Sequence, residues 1–76
     1  MPLAYVLLRV EVGAESEVLE TLRKADSVEE AHRIYGIYDA VVKVRADTME
    51  KLKEIVTSKV RRIDGVRSTI TLLVIE

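Results

Sequence analysis

The chain is 76 residues long, 49% hydrophobic and 33% charged, with a formal net charge of -1 and no cysteine. These figures describe one small folded domain spanning 1–76, and they exclude a disulfide framework, thiolate metal sites and the basic surplus of a free-standing nucleic-acid binder. No run of 18 apolar residues exists to span a membrane, and residues 1–8 lack the basic start of a signal peptide, so the expected location is cytoplasmic.

Residues 3–12 read as a strand whose even positions, Ala4, Val6, Leu8, Val10 and Val12, are all apolar. The odd positions carry Leu3, Tyr5 and Leu7 before turning polar at Arg9 and Glu11, so the strand is apolar on one face and half apolar on the other. Gly13 breaks it. A helix is expected over residues 14–25, with Val18, Leu19, Leu22 and Ala25 in one stripe. Glu15 and Glu17 open this helix, and Arg23 with Lys24 closes it, each sign matched to the helix dipole. Residues 28–35 form the most polar strand, hence an edge, and residues 36–39 make a hairpin connection around Gly36.

Residues 40–46 put Ala40, Val42, Val44 and Ala46 on one face and Val41, Lys43 and Arg45 on the other. Asp47 is the expected N-cap of a helix over residues 48–62, with Glu50 completing a capping box. Met49, Leu52, Ile55, Val56, Val60 and Ile63 form the apolar stripe, and Gly65 ends the element. A last β-type run covers residues 66–75.

The order β-α-β-β-α-β with right-handed crossovers predicts the α+β ferredoxin-like fold: a four-stranded antiparallel sheet, spatial order 4-1-3-2, with two helices on one face. Two helices leave the other face bare, yet Leu3, Tyr5, Leu7 and Val41 fall on it. On the last strand Val66, Ile70, Leu72 and Val74 alternate with Leu73 and Ile75, so both faces are apolar there too. An exposed apolar patch of several hundred Å² marks an interface. A second copy packed sheet to sheet about a twofold axis, a dimeric α+β barrel, is the economical cover. It also supplies the support that a small core without disulfides or metal needs.

Two segments carry a family resemblance. Tyr35-Gly36-Ile37-Tyr38-Asp39 leading into Ala40-Val41-Val42-Lys43-Val44 resembles the glycine-x-aromatic-aspartate hairpin of Lrp/AsnC effector domains. Asp64-Gly65-Val66-Arg67-Ser68-Thr69-Ile70-Thr71 resembles that family's last helix-to-strand passage, and with the opening strand the likeness covers essentially the whole chain. Members of the family also carry an N-terminal helix-turn-helix domain, which this sequence does not contain. It therefore looks like a stand-alone effector domain that makes no direct contact with nucleic acid.

The resemblance implies sheet-to-sheet dimers assembling into rings, octamers or decamers, with an amino acid effector in clefts between dimers. It places Gly36, Ile37, Tyr38, Asp39, Thr69, Ile70 and Thr71 at such a cleft. Asp39 would take the ligand's ammonium, backbone N–H groups near Gly36 and the two threonine hydroxyls its carboxylate, and Tyr38 and Ile70 would wall its side chain. No catalytic residue, metal or cofactor is expected.

Plainer roles stand beside these. Gly36 and Asp39 suit a turn, Thr69 and Thr71 are good strand formers, Tyr38 suits packing, and His32 suits an exposed edge. Lys43 and Arg9 read as ion-paired or solvated groups. Two other functions stay open: an assembly partner of full-length Lrp/AsnC-type regulators without its own ligand, and a small dimeric barrel enzyme. The enzyme would need an acid/base constellation, and a single histidine with no phenylalanine or tryptophan offers little toward one.

Overall fold

The computed structural model describes residues 1–75 and places the elements in the order β1 (Leu3–Val10), α1 (Glu15–Arg23), β2 (Val28–Arg33), β3 (Ala40–Arg45), α2 (Met49–Ile55) and β4 (Val66–Leu73). A π-helical turn, Val56–Val60, continues α2. The strands form one antiparallel sheet in the order β2-β3-β1-β4, which is the expected ferredoxin-like order.

The core follows from the two-residue period of the strands. Ala4, Val6, Leu8 and Val10 of β1 are buried, and the first three lie opposite the buried Val44, Val42 and Ala40 of β3. Onto that layer α1 sets Val18, Leu19 and Leu22, and the second helix sets Leu52, Ile55, Val56 and Val60. Arg23 does more than oppose the helix dipole. Its Nε and Nη2 both donate to the Ala31 carbonyl, at 3.1 and 2.8 Å, and so occupy an acceptor on the edge strand β2.

Three local expectations are corrected. The first strand stops at Val10 rather than residue 12: its register shifts between Arg9 and Val10, Glu11 N–H donates to the Gly65 carbonyl at 2.8 Å, and Val12 is left exposed. The helix N-cap is Thr48, not Asp47. The Ala46 N–H is still bonded to the Pro2 carbonyl at 3.1 Å, which keeps residue 46 in sheet-like pairing and delays the helix by one residue. Thr48 then has the extended backbone of a cap and its hydroxyl accepts from the Lys51 N–H at 3.1 Å, so Glu50 no longer stands three residues beyond the cap. The helix is also not α throughout: the Arg61 N–H reaches the Val56 carbonyl at 3.0 Å, closing the wider π turn, and Met49 is exposed rather than in the stripe.

Gly65 joins the second helix to β4 by close approach. Its φ is +98°, and a Cβ there would lie 2.8 Å from Ala14 Cβ and 3.2 Å from Val18 Cγ2. The start of β4 thus sits directly against the start of α1. Among the described residues no helix is long and apolar enough to cross a membrane.

Candidate functional site

The strand register sets the bare face of the sheet out in rows. Val41, Leu7 and Ile70 form one row across β3, β1 and β4, and Lys43, Tyr5 and Leu72 form the next. Leu3 follows, opposite Arg45. Tyr5, Ile70 and Leu72 are exposed, while Leu3, Leu7 and Val41 are half-buried, so the apolar half of this face is centred on β1 and β4.

Its other half is ionic. On β2, Glu30 pairs with Lys43 and His32 with Val41, and a bulge between Val28 and Glu30 brings in Glu29. Arg45 Nε donates to Glu29 at 2.6 Å, and Lys43 Nζ lies 3.6 Å from Glu29 and 3.7 Å from Glu30. The hydrogen bond from Arg45 holds the Glu29 carboxyl below its usual value, with the charges of Arg45 and Lys43 acting in the same direction. Glu30 is lowered in turn, first by its hydrogen bond with His32, 3.0 Å away, and then by Lys43. Glu29 in turn raises Arg45. His32 thus sits at the edge of a solvent-facing ion cluster, hydrogen-bonded to Glu30.

The hairpin between β2 and β3 is the second feature. Tyr35 and Ile37 project fully into solvent, and nothing lies within 4 Å of where a Gly36 Cβ would stand. Tyr38 and Asp39 turn inward and are half-buried. Asp39 holds the hairpin by three bonds: its carbonyl accepts from Ile34 N–H, just after β2, at 2.9 Å, and two more tie it to β1, its N–H donating to the Leu8 carbonyl at 2.8 Å and its Oδ2 accepting from Val10 N–H at 2.8 Å. That last bond takes the Val10 amide at the point where the β1–β4 register shifts. Asp39 also borders a hollow with Arg9, Glu15, Arg67 and Ser68.

The predicted residues are only partly brought together. Gly36, Ile37, Tyr38 and Asp39 share the hairpin, but Thr69 lies opposite Leu8 and Thr71 opposite Val6, with the width of β1 between them and β3. Strand alternation also splits the second group: Thr69 and Thr71 face the helix side with Leu8 and Val6, whereas Ile70 faces the bare side with Leu7. One chain does not close a cleft from both groups. The sequence reading missed a groove between α2 and β4, where Leu52, Val56 and Leu73 meet Arg61, Lys53, Thr57 and Thr71. Among the described residues no three His, Asp or Glu side chains are grouped to hold a metal ion.

Comparison with known proteins gives a consistent pattern. The family profile described as the Lrp/AsnC ligand binding domain matches residues 3–76. The HTH-type transcriptional regulator FL11 of Pyrococcus furiosus is 36% identical over 74 residues, covering 97% of this chain and 48% of its own. The chain therefore spans about half the length of the curated relatives it matches. The crystal structure of FFRP-DM1 superposes with a TM-score of 0.95 at 37% identity, covering 99% of this chain and 100% of that one. A transcriptional regulator of Neisseria meningitidis, solved as an L-Met complex, shares the fold at a TM-score of 0.88 and 16% identity, covering 99% of this chain and 50% of that one.

Proposed function

The chain belongs to the Lrp/AsnC ligand-binding domain family, and on that premise we propose that it is a small-molecule sensing and oligomerisation unit of cytoplasmic transcriptional regulation, not an enzyme. The observation that carries the reading is the bare sheet face, where Leu3, Tyr5, Leu7, Val41, Ile70 and Leu72 form one continuous apolar surface across three strands. A second copy packed against it buries this surface, and the rim of Glu29, Glu30, Lys43 and Arg45 sets the orientation. Dimers then assemble into octameric or decameric rings through surfaces left outside that contact, among them the projecting Tyr35 and Ile37.

The effector is an amino acid bound where dimers meet. Gly36, Ile37, Tyr38 and Asp39 come from one protomer, and Thr69 and Thr71 from another, which accounts for their separation within one chain. Asp39 keeps Oδ2 on the Val10 N–H and offers its other oxygen to the ammonium. Ile70 acts in the dimer contact. The L-Met complex of the Neisseria regulator supports an amino acid as the ligand class. A ligand that bridges two dimers shifts assembly by its differential affinity for the ring.

The test is light scattering after size exclusion, run with each common amino acid. One amino acid that forms or dissolves a defined ring, with Asp39→Asn abolishing its effect, supports the reading. A second reading is that the chain co-assembles with full-length regulators without its own ligand, and the 36% identity to FL11 across 97% of the chain favours it. A ring indifferent to every amino acid, yet retained on an immobilised full-length relative, selects that reading.

A further inference from the structure

We propose that the groove between α2 and β4 binds a small apolar carboxylate that lacks an amino group, such as a branched aliphatic or 2-oxo acid. The groove encloses about 230 Å³, below the ~300–1,000 Å³ of pockets for drug-sized ligands, and so suits a small metabolite. Leu52 and Val56 form an apolar floor and Leu73 an apolar wall, while the hydroxyl-bearing Thr57 and Thr71 line it from the helix and strand sides.

Its charge selects the ligand. Among the described residues the ionisable side chains lining the groove are Lys53 and Arg61, both cations, with no carboxylate beside them. Among the described residues neither cation is held in an ion pair, whereas Lys43, Arg45 and Arg33 are. An anion with an apolar body matches on both counts, through the fork of Arg61 and the floor beneath it. A zwitterion does not, because its ammonium would meet two cations and no acid.

The π turn supplies a second observation. It runs from Val56 to Val60, its closing hydrogen bond comes from the Arg61 N–H, and it therefore sets Arg61 relative to Val56 in the floor and Thr57 beside it. Such turns are rare and recur at functional sites. The groove lies on the helix side, so packing of the bare faces leaves it open. It requires neither the dimer nor the hairpin, and only Thr71 is shared with the effector cleft.

The test is titration of the intact chain with α-ketoisocaproate, L-leucine and isohexanol, read by calorimetry and amide chemical shifts. The acid is expected to shift the amides of Leu52, Val56 and Thr71, and to bind roughly tenfold or more tighter than either other probe. Arg61→Gln weakens the acid by a similar factor, and Arg61→Lys restores part of it. Leu73→Glu, which adds a carboxylate to the exposed wall, abolishes binding and stands in should the Arg61 variants lose their fold. Equal affinity for acid and leucine, shifts confined to the 36–39 hairpin, or acid binding indifferent to these variants overturns the proposal. Ring assembly is read separately by mass, so its failure is distinguishable from failure here.

Discussion

Asp39 shows how one side chain carries both structure and recognition. Its Oδ2 satisfies the Val10 amide, which faces the β3 side of β1 just past the last β1–β3 pair, Leu8 with Ala40. Asp39→Ala leaves that amide without its partner and is expected to lower stability by about 1–3 kcal/mol in chemical denaturation. Asp39→Asn keeps a carbonyl acceptor and should stay close to wild type while losing amino acid binding. Equal stability of wild type and Asp39→Ala would show that the Val10 bond contributes nothing. Gly65 makes the complementary case. A methyl group there meets Ala14 Cβ at 2.8 Å on a backbone of φ +98°, so Gly65→Ala is expected to cost about 1–3 kcal/mol, with backbone strain and overpacking acting together. The sequence marked both residues, Asp39 as a turn or ligand residue and Gly65 as a helix stop. Neither partner was legible, because Val10 is 29 residues from Asp39 and Ala14 lies on another element.

At the scale of elements, alternation and helical spacing located every strand and helix, because burial on one face repeats with the period of the structure that makes it. What they did not locate were the ends. Asp47 and Thr48 are both good caps, and the choice rests on the pairing of Ala46 with Pro2 across the sheet. Thr48→Ala should therefore cost about 1 kcal/mol, and Asp47→Ala should stay within roughly 0.5 kcal/mol of wild type. The reverse order would restore Asp47 as the cap. The π turn was illegible for a similar reason: Val56, Val60 and Ile63 fit an α stripe, and only the closing bond onto Val56 distinguishes the two. The β2–β3 pair carries a pH dependence of known sign. The Glu29 carboxyl is held below its ordinary 4.5 by Arg45, so its contribution is complete above 4.5 and drains as the pH falls through the lowered value. Glu29→Gln should be slightly less stable than wild type at neutral pH, and the two curves should converge in acid. Both groups are solvent-facing, which keeps the effect small.

At the scale of the molecule, the bare face was the most legible feature, because Leu3, Tyr5 and Leu7 declare a second apolar face on β1 before any register is known. The candidate cleft was less so. Its two halves are far apart in sequence and stand on either side of β1 within one chain, and the opposed directions of Ile70 and Thr71 appear only once the faces are assigned. The α2–β4 groove was not legible at all, since it depends on which helix residues come to stand over an edge strand. The central claim, that a second copy covers the bare face, is tested most directly by light scattering on wild type and Leu7→Lys. Leu7 lies in the middle of the Val41–Leu7–Ile70 row, on the side away from the helices. The account predicts a dimer or a multiple of dimers for wild type, and a folded monomer for Leu7→Lys with an unchanged circular dichroism spectrum. A wild-type monomer, or a Leu7→Lys chain that assembles as wild type does, would contradict it.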